Sequence, residues 1–242
     1  MPKMPTFLVL ALALTTLSAS TFGQTSRTRQ TASVRQTTLS NLDISRGIQD
    51  ALTQGVRNAV NNLGRPNGFL NNTRVRIPLP NSLQRTERTL RAMGQGKRVD
   101  EFVEAMNHAA EEAVPVAVNV FLDSIRQMTF NDARNILFSG QDDAATQFFR
   151  RTSQDRLRQE FRPIVQRFTE QVGVTQKYKQ MMGRYGFLGS VIGQDASDID
   201  GYVTEKALDG LFLLVADEEQ KIRQDPVRRT TSILRTVFGV LK

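Results

Sequence analysis

The chain is 242 residues long, with 32 Lys and Arg against 24 Asp and Glu, a formal net charge of +8, one His and no Cys or Trp. Its 39% apolar share is too high for a chain that is disordered throughout. The lack of Cys excludes disulfides, thiol catalysis, iron–sulfur clusters and Cys-ligated zinc, and a lone His108 excludes any site built on two imidazoles.

The chain opens with Lys3, an apolar run from Phe7 to Leu14, and small or hydroxyl residues through Ser18, Ala19, Ser20 and Gly23. This is the layout of a signal peptide, residues 1–23, cut near Gly23 with Ser20 as the alternative. A membrane-crossing helix needs about 20 apolar residues, and Thr15, Thr16 and Ser18 interrupt the run. The expected location is therefore periplasmic or secreted, with no transmembrane span in the mature chain. Residues 24–42, almost all Ser, Thr, Gln and Arg with no acid, read as a flexible tether. Residues 43–242 then form one domain, since no Pro, Gly or Ser-rich linker divides them.

Nearly every periodic segment of that domain has helical spacing. Asp43 is placed to cap a helix bearing Ile48, Leu52, Val56, Ala59 and Leu63, stopped by Gly64 and Pro66. Leu83, Leu90 and Met93 mark a second helix. Phe102, Val103, Met106, Ala109, Ala110 and Ala113 mark a third that Pro115 ends or kinks. Phe121, Leu122, Ile125 and Met128 continue beyond it, and Thr129 with Asp132 forms a capping box for a short helix stopping at Gly140. Separate helices are expected around Ala144 to Phe149 and Leu157 to Val172, with a kink at Pro163, and a shorter one over Tyr178 to Tyr185. Val203, Ala207, Leu208, Leu211, Phe212, Leu214, Val215 and Ile222 surround more than one stripe, which predicts a central helix. Asp225 and Pro226 open a final helix carrying Ile233, Leu234, Val237, Phe238 and Leu241. VRIPLP at 75–80 is extended, but its prolines bar it from a central strand. The predicted class is all-α, a single bundle-like domain of about eight to ten helices.

GRPNGFLNN at 64–72, VRIPLP at 75–80, DDAATQFFRR at 142–151, FRPIV at 161–165, DGYVTEKALDGLF at 200–212 and EEQKIRQDPVRRTTSILRTVFG at 218–239 resemble a bacterial exported family catalogued as domain of unknown function 4197. The resemblance spans about residues 43–239. It implies a helical domain behind a signal or lipoprotein signal in a Gram-negative envelope, and no established activity. Relatives with a lipid-bearing Cys differ from this chain, which has none, so attachment by lipid does not carry over.

Charge is unevenly placed. Residues 24–98 hold 13 basic and 3 acidic groups, and residues 99–242 hold 18 and 21. Arg74, Arg76, Arg85, Arg88, Arg91, Lys97 and Arg98 are suited to an anion-facing surface, Arg being the residue for bidentate contact with phosphate or carboxylate; the plain alternative is a solvated face docked on the acidic half of the same domain. No nucleic-acid motif or stacking set accompanies the charge. Asp142, Asp143, Arg150 and Arg151 are the candidates for a small polar ligand site, although neighbouring carboxylates on a helix point about 100° apart and the simpler reading of the two acids is an N-cap and a first-turn acid. Asp195, Asp198, Asp200 and Glu205 fail as a calcium loop, because the first and twelfth ligand positions would be Ala196 and Ala207; Asp198 or Asp200 as a helix cap is the better account. His108, flanked by Glu104, Glu111 and Glu112, has the reach of a general base but no nucleophile marked beside it. In GRPNGFLNN, Phe69 is expected to plug the core, with Gly68 and Asn71 free to take positive φ.

The expected function is a non-catalytic binding or scaffolding module of the cell envelope, without metal or cofactor. Its expected partner is an anionic envelope component or an acidic protein, bound through Arg85, Arg88 and Arg91. The alternative is a periplasmic carrier whose 14 Phe line a cavity for a lipid or other hydrophobic ligand. A carboxylate enzyme centred on Asp142 and Asp143 is third.

Overall fold

The structure is a computed structural model that describes residues 41–171, 173 and 198–224. Among these residues it is all helical: α1 Asn41–Leu63, α2 Gln84–Ala92, α3 Gly96–Ala113, α4 Ala117–Arg126, α5 Phe130–Phe138, α6 Ala144–Gln171 and α7 Ile199–Gln224, with 3-10 turns at Asn81–Leu83 and Val114–Val116. Seven α-helices among the described residues fall short of the eight to ten expected. One reason is that the two segments expected around Phe149 and Leu157 are a single helix, α6. Nothing between them, RTSQDR at 151–156, breaks a helix, and α6 runs through Pro163. The signal peptide, most of the tether and the helices expected at 178–185 and from Asp225 onward lie outside the described residues.

Among the described residues helix α1 runs from Asn41, so Asp43 sits in its first turn, past the N-cap position expected for it. It ends where Gly64 and Pro66 require. Pro115 converts the α3–α4 junction into a 3-10 turn. The capping box is present, with Thr129 Oγ1 accepting from the Asp132 N–H and Asp132 accepting from the Thr129 N–H. Gly140 follows at φ +69, the left-handed stop that glycine tolerates.

Helices α3 and α6 pack on each other and, with α1, on α7; α4 and α5 lie against α1 and α6, and α2 lies on α3. As its all-round apolar pattern predicts, α7 is central, meeting α1, α3 and α6. Phe102, Phe121, Phe149, Phe161 and Phe212 are fully buried. Phe121 meets Phe149 at 4.7 Å between ring centroids and Phe212 at 6.0 Å, within the range of favourable tilted and edge contacts. Phe149 and Phe212 thus pack on Phe121 within the core. Met93, expected on the inner face of α2, is 55% exposed; it stands at the end of the helix, where the buried stripe of Thr86 and Leu90 has already run out.

Candidate anion-facing surface and its buried clamps

Residues 64–80 cross from α1 to α2 without regular structure, and three buried side chains explain how they are held. Phe69 enters the core with no exposure. Its entry is possible because α7 carries Gly210 at the contact: a Cβ there would stand 2.8 Å from Phe69 Cε1 and 3.2 Å from Val75 Cβ. The backbone around Phe69 needs acceptors, and α3 supplies one. Glu111, 5% exposed, accepts N–H bonds from Asn67 at 3.0 Å, Phe69 at 2.9 Å and Leu70 at 3.2 Å. A carboxylate that accepts several N–H groups is a strong anchor for a loop. The residue with positive φ is Asn67 (φ 63), not Gly68 or Asn71. Gly68 is needed for a different reason, since a Cβ there would lie 2.3 Å from the Leu63 carbonyl oxygen.

One helical turn before Glu111, Asn107 is completely buried. Its side-chain oxygen accepts from the Ile77 N–H at 2.8 Å and its amide donates to the Ile77 carbonyl at 2.9 Å. A helix side chain thus gives VRIPLP the pairing a neighbouring strand would supply. Val75, Ile77 and Leu79 turn inward while Arg74, Arg76 and Pro78 face solvent, the two-residue period of extended chain. The far end is tied by Tyr202, whose hydroxyl donates to the Pro78 carbonyl at 3.0 Å; burial pushes this phenol above its usual pKa.

These clamps set out the basic groups. Arg76, Arg85, Arg88 and Arg98 are exposed and make no ion pair among the described residues, as do Arg57 and Arg65 nearby in sequence. On α2, Arg85, Arg88 and Arg91 step round the axis by about 60° each, on the side away from Thr86 and Leu90. Arg91 is engaged locally by Glu87 at 2.9 Å and Asp100 at 2.7 Å, and Lys97 stands 3.9 Å from Glu101. Of the seven cations read from the sequence, Arg74 and Arg91 reach acids of the 99–242 part on another element, Arg74 in a bidentate pair with Asp217 of α7 and Arg91 with Asp100 of α3. Among the described residues, docking of the basic half on the acidic half is confined to these two pairs and to the Lys97–Glu101 contact within α3.

Much of the acid-rich remainder pairs within itself. Asp123 pairs with Arg126 and Arg156, and the Arg156 hydrogen bond is the main influence holding its carboxyl below the usual aspartate range. Arg158 bridges Glu205 and Asp155, and Arg162 bridges Asp198 at 2.9 Å. Asp198 also caps α7, accepting from the Gly201 N–H at 2.8 Å, whereas Asp200 accepts from the Thr169 hydroxyl.

Asp142 and Asp143 are exposed, and no hydrogen bond or ion pair joins either to Arg150 or Arg151. The carbonyl of Asp143 accepts the first helical bond of α6, from Gln147, but its carboxylate does not cap the helix. Glu219 of α7 does so, at 6% exposure, accepting from Ala145 N–H, Thr146 N–H and the Thr146 hydroxyl. Arg223 completes that clamp by donating to Glu219 and to the Ile136 carbonyl. Arg150 lies 4.3 Å over the Phe212 ring. Arg151 turns the other way, 5.8 Å over Phe148. The four residues do not converge on one point.

His108 Nδ1 is 2.7 Å from Glu111 and Nε2 is 3.5 Å from Glu104. Burial works to lower its pKa, and the two glutamates outweigh burial and raise it. The ring is tied to the loop clamp. Sequence reasoning missed Asn107 and the capping role of Glu219, and took Glu111 only as a neighbour of His108; the signal would have been a polar residue inside an apolar stripe, as at 107 between Val103 and Ala110. The described residues hold no group of three His, Asp or Glu placed to share a metal ion, and no described helix is long and apolar enough to cross a membrane.

The whole of this scaffold, from α1 through α7, falls inside a stretch, residues 38–239, that matches the family described as "Protein of unknown function (DUF4197)". The chain belongs to that family. GRPNGFLNN and VRIPLP, two of the segments that carried the resemblance to DUF4197, are the ones that Glu111, Asn107 and Gly210 hold in place. No curated protein and no solved structure matches the chain.

Proposed function

We propose that this protein is a non-catalytic binding module of the cell envelope, whose basic half engages an anionic envelope component. The observation that carries the reading is the contrast between the two halves. Arg57, Arg65, Arg76, Arg85, Arg88 and Arg98 are exposed without a carboxylate partner among the described residues, while in the other half Asp123, Asp155, Glu205, Glu218 and Glu219 are engaged by arginines and lysines of that half, where Arg134, Arg150 and Arg167 are the exposed arginines without such a partner. Unneutralised guanidinium groups on a rigid surface favour phosphate and carboxylate partners. The signal-like first 23 residues supply the location in this reading. A binding role also accords with the use of the buried polar groups: Asn107, Glu111 and Glu219 all serve backbone N–H groups of their own fold.

The structure refines which positions to test. Arg91 already has two acid partners, so Arg76, Arg85 and Arg88 form the better set. Binding of the mature chain to vesicles containing anionic phospholipid is expected to fall roughly a hundredfold in R76Q/R85Q/R88Q, at about 1 kcal/mol per basic residue near an anionic surface, and to lose part of its salt dependence. Binding of the triple variant equal to that of the wild type, with the fold intact by circular dichroism, would refute the proposal.

A further inference from the structure

A cleft apart from the basic surface lies where α5 meets the first turns of α6. An open cleft of about 140 Å³ is lined there by Asp132, Asn135 and Ile136 of α5 and by Gln147, Phe148 and Arg151 of α6, together with the connecting turn. It takes up one residue of the sequence-derived set, Arg151, and replaces its expected partners: the acid that shares the cleft with Arg151 is Asp132, twelve residues before α6 begins, not Asp142 or Asp143.

The groups in this cleft are charged and incompletely engaged. Asp132 Oδ2 accepts from the Thr129 N–H and hydroxyl, which leaves Oδ1. That oxygen is 4.0 Å from Arg151 Nη2, too far for a hydrogen bond. Arg151 makes no hydrogen bond among the described residues, and its guanidinium is steadied from one side by the Phe148 ring. The Asn135 side-chain amide likewise has no partner among the described residues. Gln147 gives its amide to Asp143 at 2.9 Å, and its carbonyl oxygen is the end left over. Ile136 and Phe148 add an apolar wall.

This donor and acceptor set selects its ligand by charge. A simple anion drawn to Arg151 would meet the Asp132 carboxylate, and a simple cation drawn to Asp132 would meet Arg151. A molecule with both charges a few ångströms apart satisfies both. The cleft is also well below the roughly 300–1,000 Å³ of sites for drug-sized ligands. We propose that it binds a small α-amino acid as the zwitterion, with the carboxylate on Arg151, the ammonium on Asp132 Oδ1, and a short side chain against Ile136 and Phe148. The site is independent of the basic surface, so either proposal stands or falls without the other.

The test is a titration of the isotope-labelled mature chain with L-alanine, followed by amide and side-chain NMR shifts, with acetate and ethylammonium as half-ligands. Saturable shifts centred on Asn135, Gln147 and Arg151 are expected with a millimolar dissociation constant, and each half-ligand should bind at least about tenfold more weakly. R151Q and D132N should each weaken L-alanine at least about tenfold; in D132N the amide oxygen keeps the capping box. R150Q, whose parent guanidinium stacks on Phe212 outside the cleft, should bind as the wild type does. The proposal is overturned by an absence of saturable shifts up to ~50 mM L-alanine, by acetate binding as tightly as L-alanine, by shifts centred elsewhere, or by undiminished binding in a folded R151Q.

Discussion

Replacing Glu111 by Ala removes the acceptor for three loop N–H groups and for His108 in one step. The Phe69 N–H is buried and would be left without a partner, at a cost of about 1–3 kcal/mol. The Asn67 and Leu70 N–H groups are partly buried, so water recovers part of their loss and about 0.5–1 kcal/mol each is reasonable. The expected destabilisation is thus roughly 2–5 kcal/mol, a large share of the 5–15 kcal/mol typical of a domain. Chemical denaturation with a fitted, unchanged m-value measures it, and amide hydrogen exchange at residues 67–70 localises it. Glu112, exposed one position on, is the control: Glu112→Ala should stay within about 0.5 kcal/mol. A loss below about 1 kcal/mol in Glu111→Ala, with exchange at 67–70 unchanged, would show that Phe69 alone holds the loop and that the carboxylate is incidental.

Gly210→Ala places a methyl 2.8 Å from Phe69 Cε1 and 3.2 Å from Val75 Cβ, so about 1–3 kcal/mol should be lost as the ring shifts; a thermal melt equal to the wild type would refute the close fit. His108 gives a pH signature. Its folded pKa is raised above the ordinary 6.5 by Glu111 and Glu104 against the opposing effect of burial, so its stabilisation is complete below the unfolded value and is lost as pH rises through the raised one. Stability measured across that window should decline in the wild type and flatten in His108→Gln; parallel curves would exclude the coupling.

Much of the helical content was legible in the residues because it depends on neighbours a few positions apart. The stop at Gly64 and Pro66, the Thr129–Asp132 box and the many-sided apolar surface of α7 all follow from local sterics, capping and periodicity. The errors were also local in origin. A break was expected between Phe149 and Leu157 because the apolar pattern lapses there, yet a polar stretch with no breaker continues a helix when both ends are packed. Asp142 and Asp143 were read as an N-cap and first-turn acid from their place before α6, and the carboxylate that caps α6 is Glu219, on another helix.

Composition and short-range pattern alone determined the all-α class, the concentration of basic charge before residue 99 and the exclusion of thiol and two-imidazole chemistry, since each depends on residue type or on spacing within a few turns. Tertiary structure alone decided which charges remain unneutralised, which acid shares a cleft with Arg151, and why Asn107 and Glu111 are buried. Those outcomes depend on which helices meet, and a carboxylate has the same one-letter code whether it faces water, an arginine or the backbone of a loop 40 residues earlier.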